Sequence, residues 1–95
     1  MATKLSRWDT AAHLRTEAEL DAYLDACLEE GEPALIAHAL GVIARARNMS
    51  QLARDTGLSR EGLYKALSRE GNPSFDTIMK AARGLGYRLK LERMR

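Results

Sequence analysis

The chain of 95 residues contains a single cysteine, Cys27. One thiol forms no disulfide within the chain, so a disulfide scaffold is excluded, and the composition suits a reducing compartment. The segment around Cys27 supplies acid rather than the positive charge that activates a thiolate, so a packed core thiol is expected there. Proline is scarce, at two residues, and 45% of the side chains are hydrophobic, which argues against disorder throughout. No apolar run approaches the roughly 20 residues that cross a bilayer, and the first residues lack the charged-then-apolar order of a signal peptide. The two histidines, His13 and His38, come without a Cys-x-x-Cys pair, so neither a metal nor another cofactor is expected. There are no paired carboxylates in a plausible cleft, no nucleophile–base set and no phosphate-binding glycine loop, so an enzyme is not expected. Internal repeats and low-complexity segments are missing too. What remains is one cytoplasmic domain with a modest core, marginally stable alone.

Charge is present in both signs but unevenly placed. Residues 1–40 hold 3 basic and 8 acidic side chains, a net of −5. Residues 41–59 hold 3 basic and 1 acidic, a net of +2, and residues 60–95 hold 9 and 4, a net of +5. An acidic front and a basic back suit a protein with one nucleic-acid face. The same split also arises on a solvated helical surface without a partner.

The most informative stretch is 50–68. It predicts one helix from Ser50 to about Thr56, a stop at Gly57, and a second helix from Ser59 to about Ser68. Ser50 and Ser59 stand where N-caps are expected, and Gly57 where a helix ends in the left-handed region. Leu52, Ala53, Leu58, Leu63 and Ala66 form the seam, with small Ala53 suiting a close crossing. This order of apolar residues, alanine, glycine and serine is that of a helix-turn-helix. If 59–68 is the recognition helix, Ser59, Arg60, Glu61 and Tyr64 face base edges. Arg60 suits a two-pronged bond to guanine, and Glu61 an acceptor role toward cytosine N4. Ser50, Gln51, Lys65, Arg69, Asn72 and Lys80 are the phosphate candidates. The alternatives are an exposed first turn at Arg60 and Glu61 and an ordinary turn residue at Asn72. One unit of this size reads few base pairs, so a homodimer on an inverted-repeat operator is expected.

The rest of the chain supplies helices that support this unit, over 8–48 and 74–85. A short helix is expected over 9–14, capped by Asp9, with Trp8, Ala12 and Leu14 inward. Thr16 and Glu19 make a capping box for a helix over 16–30. Its stripe is Leu20, Tyr23, Leu24, Cys27 and Leu28, and its other face is acidic: Glu17, Asp21, Asp25 and Glu29. Pro33 opens a wide apolar helix reaching Arg47. Arg45 and Arg47 at its end complement the helix dipole, with a phosphate role open for both. Ser74 caps the last helix, and Phe75, Ile78, Met79 and Ala82 face inward. Tyr87, Leu89 and Leu91 then alternate with charged residues, predicting a short strand over 87–93. A strand needs a partner edge, so pairing with a twin chain or another protein is expected. An extended tail is the alternative.

The segment 50–68 resembles the DNA-binding unit of the lambda-repressor-like (Xre-type) helix-turn-helix family. The longer run LYKALSREGNPSFDTIMKAARGLGYRLKL resembles a narrower group, the addiction-module antidote proteins, antitoxins of the HigA-like kind. The likeness spans about residues 8–93, and Asp9, Ala11, Ala12 and Leu14 echo a segment of that group, with Leu14 one residue early. The expected fold is therefore an all-α, five- to six-helix lambda-repressor-like domain with a short C-terminal strand. The resemblance implies an antitoxin that represses its own operon and neutralises a small ribonuclease toxin of the RelE-like superfamily. The acidic face of residues 17–29 matches a basic ribonuclease in charge. A phage-type or stand-alone repressor without a toxin, and an interaction module that lost DNA binding, are the alternatives.

Overall fold

The computed structural model describes residues 16–68 and 70–94, and among these residues it forms five helices. They are α1 (Glu17–Glu30), α2 (Pro33–Ala46), α3 (Met49–Thr56), α4 (Arg60–Ala66) and α5 (Phe75–Gly84). The expected all-helical class is met. The helix expected over 9–14, with Trp8 and Leu14, lies outside the described residues. Among those residues no helix is long and apolar enough to cross a membrane.

The capping box forms as expected. Thr16 Oγ1 accepts from the Glu19 amide at 3.1 Å, and Glu19 Oε1 accepts from the Thr16 amide at 3.0 Å. Leu20, Leu24 and Cys27 of α1 are buried against α2. Leu28 departs from the expected stripe and is 44% exposed. It lines the open groove that Leu24, Ile36 and Leu40 also line.

The centre of the molecule is α2. Pro33 starts it, and Leu35, Ala39, Leu40, Ile43 and Ala44 are buried along it. It touches each of the other four helices. Its one glycine, Gly41, explains how closely. A Cβ built there would lie 2.3 Å from the Leu67 carbonyl oxygen, so the backbones of α2 and the end of α4 meet with no side chain between them. Glycine inside a helix costs about 1 kcal/mol relative to alanine, and here the close approach requires it.

The helix pair of 50–68 forms with one correction. Its first helix begins at Met49, and its N-cap is Asn48 rather than Ser50. Asn48 Oδ1 accepts from the Gln51 amide at 3.0 Å, which leaves Ser50 inside the first turn and half-buried. The helix ends at Gly57 with φ 75°, as a left-handed cap requires. Residues 57–59 make the turn, and Thr56 Oγ1 braces it by donating to the Leu52 carbonyl at 2.8 Å and accepting from the Leu58 amide at 3.3 Å. Ser59 caps α4.

Two expectations at the C-terminal end are overturned. Phe75, expected inward, is 73% exposed. Burial grows along α5, with Ile78 half-buried and Ala81, Ala82 and Leu85 buried, so the first turn overhangs the core. The strand expected over 87–93 is absent, and the described residues contain no strand at all. An isolated strand has no ladder to join. Instead the Tyr87 amide donates to the Ala82 carbonyl at 2.8 Å, which folds the chain back on α5. Beyond this anchor the alternation leads away from the body, and Leu91 is 100% exposed.

Candidate nucleic-acid interface

The outer face of α4 is set by what its inner face buries. Leu63 and, just past the helix, Leu67 are fully buried. That directs Arg60, Glu61, Tyr64 and Lys65 outward, and all four are exposed. Ser59 Oγ accepts from the Gly62 amide at 2.9 Å, so its hydroxyl oxygen is engaged in the cap. The Tyr64 ring is approached by two guanidiniums. Arg60 from its own helix lies 5.9 Å from the ring centroid, and Arg45 from the last turn of α2 lies 5.3 Å away. Both are within cation–π range. Arg45 and Arg60 form no ion pair with any described carboxylate.

The phosphate candidates are spread more widely. Gln51 is exposed, but its amide donates to Asp55 at 2.8 Å and its oxygen accepts from Arg54 at 2.7 Å. Lys80 pairs with Asp76 at 3.0 Å along α5. Lys65 and Asn72 line a shallow hollow with Gly62, Gly71 and Pro73. Arg69 lies outside the described residues. The structure thus joins Arg60, Tyr64 and Lys65 on one surface and adds Arg45 to it, while Ser50 is partly withdrawn.

A separate polar clasp joins the start of α1 to the residues that follow α5. Arg47, the residue after α2, donates to Glu17 Oε2 at 2.7 Å, to the Leu85 carbonyl, and to the Tyr87 hydroxyl at 3.3 Å. The Tyr87 hydroxyl donates to Asp21 Oδ1 at 2.5 Å, and the Arg47 guanidinium carbon lies 5.3 Å from the Tyr87 ring centroid. Burial and the bond to Asp21 push the Tyr87 hydroxyl up to about 12. For Arg47 burial works the other way, but Glu17 and Tyr87 together outweigh it and hold the guanidinium above its usual value. The clasp therefore consumes Arg47, Glu17 and Asp21. Neighbouring it, an apolar groove runs between α1, α5 and residues 87–89, floored by Leu24, Ile36, Leu40 and Ile78 and rimmed by Asp21 and Asp25.

No part of this geometry offers a metal centre: among the described residues no group of three His, Cys, Asp or Glu side chains is placed to hold an ion. The Cys27 side chain is buried in the core.

A family profile described as "probable addiction module antidote protein" matches residues 4–93. An uncharacterized protein of Haemophilus influenzae is 52% identical over 95 residues, covering all of this chain and 98% of that one. No solved structure matches the chain.

Proposed function

The chain belongs to the family of probable addiction module antidote proteins, and on that premise we propose that it is a DNA-binding antitoxin that represses its own operon. The observation that carries the DNA half is the α3–turn–α4 unit, with Arg60, Tyr64 and Lys65 turned outward and Arg60 left without a carboxylate. In a helix-turn-helix reading, α4 enters the major groove and its first turns meet base edges. Ser59, Arg60, Glu61 and Tyr64 then read bases, with Arg60 donating two bonds to guanine O6 and N7 and Glu61 accepting from cytosine N4. Ser50, Gln51, Lys65, Arg69, Asn72 and Lys80 hold the sugar-phosphate backbone. For Gln51 and Lys80 this requires exchanging Asp55 and Asp76 for a phosphate, an exchange at exposed pairs of small energy. A two-fold dimer extends the reading to inverted half-sites.

An antidote implies a toxin as partner, and we propose a small ribonuclease of the RelE-like superfamily. Such an enzyme binds RNA and so carries basic surface, which the acidic face of α1 complements. With Glu17 and Asp21 engaged in the clasp, Asp25 and Glu29 are the free charges there, next to exposed Leu28. A repressor without a toxin would share the α4 face; family membership favours the antitoxin.

The test is fluorescence anisotropy with the duplex from upstream of the protein's own gene, against a scrambled duplex. Salt-dependent binding that prefers the native duplex is expected, and Arg60→Ala is expected to weaken it by roughly 5- to 150-fold, the equivalent of one lost base contact of ~1–3 kcal/mol. Equal affinity for both duplexes would remove α4 as a specific reader. For the toxin half, the double variant Asp25→Lys, Glu29→Lys is expected to weaken capture of the protein encoded beside this gene; undiminished capture would move the toxin surface elsewhere.

A further inference from the structure

We infer that Arg45, Tyr64 and Arg60 act as one contact unit, in which Arg45 clamps a backbone phosphate beside the base pair that Arg60 reads. The inference rests on the DNA-binding reading and adds a residue from outside the helix-turn-helix to it. The two guanidinium carbons lie 5.3 and 5.9 Å from the same ring centroid. A guanidinium held against an aromatic face is attracted through the ring's electrons and keeps its in-plane N–H edge free, which is the edge that grips a phosphate.

The charge environment points the same way. Among the described residues the basic groups that serve the fold have acidic partners: Arg47 has Glu17, and Lys80 has Asp76. Arg45 and Arg60 share the uncharged Tyr64 ring as a neighbour. Glu61 follows Arg60 directly, and neighbours in a helix sequence do not face each other. Two like charges gathered around one ring repel, and an anion arriving between the protein and the solvent relieves that repulsion.

Position matters as much as charge. Arg45 is on α2, the helix that contacts every other one, and α2 meets the end of α4 backbone to backbone at Gly41. The Arg45 charge is therefore fixed relative to α4 by the core rather than by a loop, as a preorganised contact requires. The Tyr64 ring, besides facing the bases, then sets the distance between the clamp and Arg60.

The experiment uses the full chain and the upstream duplex, with affinity measured at several salt concentrations. Arg45→Gln is expected to weaken native and scrambled duplexes by a similar factor and to lower the slope of log affinity against log salt by about 1 per bound subunit. Arg60→Gln is expected to reduce the preference for the native duplex. Tyr64→Leu, which removes the ring that both guanidiniums approach, is expected to impair both properties. Unchanged thermal melting confirms that each variant is folded. A wild-type slope retained in Arg45→Gln overturns the clamp and leaves the DNA-binding reading standing. Wild-type protein without salt-dependent DNA binding overturns both.

Discussion

Arg45 and Arg47 stand two positions apart at the end of α2 and reach different tyrosines. Each lies 5.3 Å from the centroid of a tyrosine ring, Tyr64 for one and Tyr87 for the other. The surroundings differ in acid. Around Arg47 and Tyr87 stand Glu17 and Asp21, and both terminal guanidinium nitrogens of Arg47 and the Tyr87 hydroxyl have acceptors within the chain. Around Arg45 and Tyr64 the next charge is a second arginine. The same pair of residue types thus makes a closed structural joint on one side and an open, electropositive surface on the other. What separates a structural arginine from one available to a ligand is the presence of an internal carboxylate, which the acidic α1 supplies on one side only.

The comparison breaks most severely at the element both sides share. Gly41→Ala places a Cβ against the Leu67 carbonyl and is expected to destabilise the fold by roughly 1–3 kcal/mol, as overpacking does. Thermal melting should fall by about 4–8 °C per kcal/mol. A neutral result would mean that α2 and α4 separate easily, against the close approach described above.

Next in size is the clasp. Arg47→Ala removes the link between α1, the end of α5 and Tyr87. About 1 kcal/mol of stability is expected to go, given that the ion pair is solvent-accessible and its hydrogen bonds are few. DNA affinity should be unchanged, which contrasts with Arg45→Gln. Arg47→Lys is expected to recover only part of the loss, since an ammonium cannot fork between Glu17, Tyr87 and the Leu85 carbonyl.

A smaller and more specific effect follows pH. The Tyr87 hydroxyl titrates near 12 in the folded chain rather than at 10. Its folded-state value is raised, so its contribution is complete below pH 10 and is lost as pH climbs through 12. Wild type should therefore lose stability relative to Tyr87→Phe between pH 10 and 12, by calorimetry across that range. Equal slopes for the two proteins would show that burial and Asp21 do not hold the hydroxyl above its ordinary value. The smallest effect belongs to Phe75→Ser, expected to shift stability by no more than about 0.5 kcal/mol, since an overhanging side chain has little packing to lose. A drop of several times that size would place Phe75 in a buried contact.

Local signals in the sequence were read well because their causes are local. The Thr16–Glu19 box, the Ser59 and Ser74 caps and the stop at Gly57 depend on residues within four positions of each other. Asn48 was passed over for Ser50, although Asn48 with Gln51 three residues later has the spacing of a cap and its N3 partner. Phe75 has the periodicity of a core residue, but periodicity does not tell where the core ends beneath a helix. The pattern over 87–93 has the period of a strand without the neighbour a strand requires. The clasp was invisible for a different reason: Arg47 reaches 30 residues back to Glu17 and 40 forward to Tyr87. The same holds for Arg45 and Tyr64, which only the crossing of α2 and α4 brings together. Of the expected DNA-facing residues, the cap at Ser59 and the outward turn after it are legible in the sequence; that the phosphate candidates Gln51 and Lys80 are already engaged is visible only in the three-dimensional arrangement.

The clasp also has a kinetic side. The Tyr87–Asp21 bond joins residues 66 positions apart, whereas the helices and their caps close over three or four. Long loops are slow and entropically expensive to close before other contacts exist. The helical body should therefore cross its folding barrier with the clasp still open. In stopped-flow refolding, Arg47→Ala is expected to leave the folding rate nearly as it is and to speed unfolding, so that the joint between the two ends of the chain acts as a brake on opening and plays no part in assembly.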